Sequence, residues 1–162
     1  MKFLKILPVL LVLSACTTAP SLKSYFVDAG VIQFFLSPTE WRVKDSRMYA
    51  KLDITYRTGT DTPVAVNISF FGEKAPPSKI TFLSLNGNDI DYPLNTITVL
   101  YHDIEKREVR ISSKGDHDNL PTLLEAEPIS LTAEIDGAGY TFIPDKRFIE
   151  LKNNFLVTIS YY

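Results

Sequence analysis

The sequence is poor in cysteine, histidine, glycine and net charge, and each shortage excludes a class of function. One cysteine in 162 residues rules out a disulfide framework and any metal centre built from several thiolates. Two histidines, His102 and His117, rule out a three-histidine centre. Seven glycines include no phosphate-cradling loop, and no Gly-x-Ser-x-Gly nucleophile elbow occurs. A formal charge of −2 gives no basic field to concentrate a polyanion, so nucleic acid is not an expected partner. Long apolar runs are missing too. The stretch from Phe3 to Leu13 is interrupted by Lys5, and its eleven residues fall well short of the ~20 that a membrane-crossing helix needs. What remains is 45% hydrophobic and 12% aromatic, the composition of one globular domain with a sizeable core.

The first sixteen residues carry an address. Lys2 and Lys5 are basic, Ile6 to Leu13 is apolar apart from Pro8, and small Ser14 and Ala15 precede Cys16, the order of a secretory signal peptide. Leu13-Ser14-Ala15-Cys16 resembles the lipobox of bacterial lipoproteins. That resemblance implies cleavage between Ala15 and Cys16, a diacylglycerol thioether on Cys16, acylation of the new amino terminus and a lipid anchor in the membrane. Two or three acyl chains anchor firmly where one does not. The expected organisation is a signal peptide over 1–15, a lipidated cysteine and tether over 16–24, and a single domain over 25–162. Without Lys2 and Lys5 the mature chain has fifteen basic and nineteen acidic residues, a charge of −4, so an anionic bilayer repels it and the lipid holds it. Thr17 stands where an aspartate would resemble an inner-membrane retention signal, which favours the outer membrane.

Beyond the tether the dominant period is two. Ala50, Leu52, Ile54 and Tyr56 alternate with polar neighbours, as do Val64, Val66, Ile68 and Phe70, the pattern of strands with one wet face. Further strands are expected over Phe26–Leu36, Ile97–Tyr101, Glu108–Ser112 and Phe155–Tyr161, the first of them central because both its faces are apolar. Asn86-Gly87 and Asp136-Gly137 each predict a tight hairpin turn. The two hairpins superimpose at an offset of 50 residues, which common turn chemistry explains without an internal repeat. Short helices are expected at Ser37–Glu40, with capping-box spacing, at Pro121–Ala126, and at Asp145–Asn153, with Asp145 as cap. The expected fold is an all-β antiparallel β-sandwich, immunoglobulin-like being one layout, carrying one to three short helices.

Chemistry-bearing clusters are sparse. His102, Asp116, His117 and Asp118 come nearest to a metal site, but the surrounding Gly115–Asn119 reads as a turn and lacks the spacing of a calcium loop, so no metal is expected. Glu125 with Glu127, and Asp89 with Asp91, have the spacing of paired carboxylates on one strand face, yet such pairs are common on wet strands. The alternating charges of Asp103–Arg110 suggest a hairpin face that resists edge-to-edge pairing. Most aromatics belong in a core, while Phe34, Trp41, Tyr161 and Tyr162 are the ones to consider for a ligand or partner groove. No catalytic residue and no cofactor are expected. The sequence therefore points to a lipid-anchored envelope protein whose β-domain is structural or binds another envelope protein, with a module for a small apolar ligand or lipid as the alternative.

Overall fold

The computed structural model describes residues 21–162. The signal peptide, its cleavage site at Ala15 and Cys16, and the lipidation position lie outside them. The described residues form ten strands and two helices: β1 (Leu22–Asp28), β2 (Val31–Val43), β3 (Tyr49–Arg57), β4 (Val64–Phe71), β5 (Ile80–Gly87), β6 (Ile90–Pro93), β7 (Asn95–Asp103), β8 (Glu108–Gly115), α1 (Leu120–Glu125), β9 (Ile129–Ile135), β10 (Ala138–Pro144) and α2 (Lys146–Ile159). All strand pairs are antiparallel and belong to one sheet, ordered β6-β5-β9-β10-β2-β3-β4-β8-β7, with β1 flanking β2. The all-β class expected from the period of two holds.

The sheet nearly closes on itself because its two terminal strands are neighbours in sequence. Only Leu94 separates β6 from β7, and its N–H donates to the Leu83 carbonyl at 3.0 Å. Alternate residues point inward: Ala50, Leu52 and Ile54 from β3, Val64, Val66, Ile68 and Phe70 from β4, and Leu131 and Ala133 from β9 are all buried. Helix α2 lays Phe148, Leu151 and Phe155 against inward residues of β2 and β3. Phe148 packs edge-on to Trp41 at 4.7 Å between ring centroids, and Phe155 meets Phe34 at 5.8 Å and Tyr56 at 5.4 Å. Asp145 caps this helix as its sequence position predicts, accepting from the Phe148 N–H at 3.0 Å.

Five local expectations are corrected. Ser37–Glu40 forms no helical turn but a bulge within β2, where the pairing with β3 gains one residue between Leu36 and Thr39. Pro38 lacks an N–H and suits a bulge. The extra residue moves the inward phase from Ile32, Phe34 and Leu36 to Thr39 and Trp41. Phe26–Leu36 is two strands, because Ala29-Gly30 turns the chain and Gly30 takes φ +75°. Strand structure also begins at Leu22, inside the expected tether. Phe155–Tyr161 continues α2 through Ile159 instead of forming a strand. The first hairpin turns two residues late, on Asn88-Asp89, with Gly87 paired to Ile90. Asp136-Gly137, by contrast, turns where expected, with φ of 52° and 81°.

Candidate functional site

The residues nearest to a metal site are dispersed. His102 lies near the end of β7, opposite Val109 of β8, whereas His117 follows the far end of β8, beyond Gly115. The intervening strand holds them roughly 20 Å apart at ~3.3 Å per residue. Among the described residues no group of three or more histidine, cysteine or carboxylate side chains is placed to hold a metal. His117 instead locks a loop. Its ring stacks on Tyr56 at 4.6 Å, Nε2 bonds the Arg57 carbonyl at 2.7 Å and Nδ1 bonds the Asp118 carboxylate at 2.9 Å. Burial pulls its pKa down, but the bonds to Asp118 and the Arg57 carbonyl outweigh that and hold it above the usual imidazole value. Asp116 takes part in the same loop, accepting from the Asn119 N–H at 2.9 Å.

The carboxylate pairs fare similarly. Glu125 ends α1 and Glu127 precedes Pro128, so they do not share a strand face. Asp91 accepts from the Ser84 hydroxyl, and Asp89 sits in the hairpin turn. The aromatic candidates divide. Phe34 and Trp41 are wholly buried in the core, with the Trp41 indole N–H donating to Thr39 Oγ1 at 3.1 Å, so they line no open groove. Tyr161 and Tyr162 are exposed, although the Tyr162 ring lies 6.0 Å from that of Phe34.

The structure assembles two features that local sequence does not announce. A buried polar network occupies the outer face of β3, β4 and β8. Asp53 accepts from Asn67 at 2.8 Å and from Arg110 at 2.6 Å, and Arg110 also donates to Ser69 at 2.9 Å. Each Asp53 oxygen thus accepts one hydrogen bond, and the carboxylate is paired with the Arg110 guanidinium. Beside this network Tyr101 of β7 donates to Glu108 at 2.6 Å, and that carboxylate raises the phenol pKa. These bonds tie β8 to β3 and β4, and β7 to β8, across the outer face of the sheet.

The second feature is the open seam of the sheet. Strand β7 pairs with β8 alone, so its other edge is unpaired among the described residues. Between β7 and the start of β5 runs a groove of about 450 Å³, lined by Ile80, Phe82, Leu83, Pro93, Leu94 and Ile97 among others. Val99, Leu100 and Tyr101 stand exposed along the edge, with Phe82 exposed across the groove. Of the charges in Asp103–Arg110 only Asp103, at the very end of β7, lies on this edge strand, the others belonging to the β7–β8 turn and to β8. The signal available in the sequence was the run Asn95–Tyr101, seven residues without a charge or a proline. Neither a protein-family model, nor a curated protein, nor a solved structure matches this chain.

Proposed function

We propose that this protein is a lipid-anchored lipoprotein of the cell envelope whose β-domain is noncatalytic and engages another protein through its sheet. The Leu13-Ser14-Ala15-Cys16 motif carries the anchor, with the mature chain beginning at Cys16 and the outer membrane as its site. The uncovered edge of β7 carries the interaction role, since an unpaired strand offers a row of N–H and C=O groups to which another extended strand can bond. The sandwich layout belongs to the same reading. The curl of the sheet brings Phe70 of β4 to Phe142 of β10, with β2 and β3 between them in the sheet order, and sets their ring centroids 5.5 Å apart. Such contacts across the interior also fill the space between the layers of an immunoglobulin-like sandwich. Burial of Phe34 and Trp41 weighs against the alternative of an apolar-ligand cavity at those residues.

The anchor is tested by feeding cells a labelled fatty acid and comparing the wild type with Cys16→Ala. Label on the wild type alone supports it, and label retained by the variant removes it. The domain's role is tested by crosslinking in the native envelope from a reactive residue placed at Thr98. Adducts to one defined polypeptide support the reading, and a copurifying lipid in place of protein overturns it.

A further inference from the structure

We propose that β7 pairs edge to edge and antiparallel with β7 of a second copy, joining two nearly closed sheets into one continuous sheet across a two-fold axis. The proposal rests on the reading of the β7 edge as the interaction surface and names a second copy as the protein that occupies it, and it does not depend on the lipid anchor.

Natural sheets blunt their edges with lysine, proline, charge, bulges or a covering element. From Asn95 to Tyr101 the strand has neither lysine nor proline and no charge. No helix covers it among the described residues, as α1 and α2 pack on other strands. Its protective devices are two bulges, one between Asn95 and Thr98, where Thr96 takes φ +59°, and one between Val99 and Tyr101, which leaves Leu100 as the extra residue. Exposure follows from this geometry. Val99 lies opposite the buried Ile111 and so faces the interior side, yet it is 55% exposed because no strand continues the sheet beyond it. Leu100 is 51% exposed, Tyr101 and Phe82 are each 45% exposed, and Ile104 in the following turn is 79% exposed.

A second copy meets the chemical demands of this edge. Antiparallel pairing of a strand with itself is two-fold symmetric, so every donor on one edge finds the same donor pattern reversed on the other. A pairing centred on Val99, inward of the Asn95–Thr98 bulge, sets Thr98 opposite Leu100 and Ile97 opposite Tyr101, with no charge facing a like charge. Tyr101 arrives fixed by its bond to Glu108, which lowers the ordering cost of its ring. Taking aromatic side chains as roughly 200 Å² and aliphatic ones as somewhat less, the five exposed residues present on the order of 500 Å² per copy. Two copies thus approach the lower end of specific interfaces, which places the dimer in the weak, reversible class.

The test is sedimentation velocity of the full chain in density-matched detergent over a wide concentration range, with amide exchange followed on the same samples. The expected result is a concentration-dependent dimer in which β7 amides gain protection as the dimer forms. Leu100→Lys and Val99→Lys, both at exposed positions, are expected to weaken dimerisation by about tenfold or more while leaving the circular dichroism unchanged. A chain that stays monomeric throughout overturns the pairing and leaves the edge to a strand of another protein. A dimer whose protection appears elsewhere, such as on exposed Tyr25 and Phe26 of β1, overturns it as well. The exchange measurement needs no variant, so it decides the question even where a lysine disturbs folding.

Discussion

At the scale of single residues, close approach decides where glycine stands. Gly87 looks like half of an Asn-Gly turn, but the turn falls on the next two residues, with Asn88 taking the positive φ of 50°. The glycine serves a different need, because a Cβ there would stand 2.5 Å from the Ala126 side chain that follows α1. Gly115 is tighter, since an added Cβ would stand closer still to the Tyr92 hydroxyl and ring, and that hydroxyl donates to the Asp116 carbonyl. Gly115→Ala is therefore expected to destabilise the domain by about 1–3 kcal/mol through overpacking. Urea denaturation checks this, and an unchanged midpoint would show that the ring moves aside freely. His117 gives a pH dependence. A neutral imidazole donates from one nitrogen only, whereas the Arg57 carbonyl and the Asp118 carboxylate both accept, so the protonated ring satisfies both, with the charge of Asp61 also favouring it and the Tyr56 ring stacked beneath. Because the folded-state pKa is raised, the contribution is fully present below the unfolded pKa of about 6.5 and is lost as pH rises through the folded value. Urea midpoints from mildly acidic to mildly alkaline pH should fall across that window in the wild type. His117→Gln should flatten that step, and an identical profile in the variant would remove the histidine as its source.

Elements show a different division between local and distant causes. Strands β3 and β4 were legible because each has one polar and one apolar face, so alternation alone marks Ala50 to Tyr56 and Val64 to Phe70. The end of α2 was not legible. Val157, Thr158 and Ile159 favour strands, yet Asp145 starts a helix whose face of Phe148, Leu151, Lys152 and Phe155 buries against distant β2, and that packing overrides local preference. The candidate edge failed to appear for a related reason. Alternation reveals that Asn95–Asp103 is extended, but which strand ends the sheet depends on an order set by long-range pairing. Lys152 marks another junction hidden from the sequence. Its ammonium is buried, donating to the Leu124 carbonyl at 2.9 Å and the Ala126 carbonyl at 3.2 Å, with Glu127 at 3.3 Å, so α2 closes the carbonyl end of α1. Lys152→Met keeps the stem but leaves both carbonyls without that donor, for a net loss of about 2 kcal/mol after the relief of burying a charge. A variant as stable as the wild type in guanidinium titration would mean that other donors replace the lysine.

The whole molecule behaves as one unit if its curled sheet and α2 unfold together, and the placement of Phe155 makes that testable. The ring comes from the last element of the chain, yet it packs edge-on to Phe34 of β2 and to Tyr56 of β3, and Tyr56 in turn stacks on the His117 loop. A sheet this curved leaves its inward side chains without an opposite neighbour wherever it fails to close, and α2 supplies that neighbour along β2. Truncating Phe155 to alanine removes a fully buried ring from a position that the surrounding strands cannot collapse to fill, which costs about 3–5 kcal/mol. That is a large fraction of the roughly 5–15 kcal/mol that stabilises a typical domain. If α2 were an appendage, the variant would melt in two stages, with the helix lost first and the sheet transition unmoved. Because the ring bridges β2, β3 and the His117 loop, the expected outcome is one transition, shifted to lower denaturant, with the same slope and with coincident far-ultraviolet and tryptophan signals. Trp41 reports from inside this core, in contact with Phe148, so its fluorescence follows the junction between helix and sheet directly. Separation of the two signals in Phe155→Ala would show that the sheet holds its shape without α2, and that the nearly closed architecture rests on strand pairing alone.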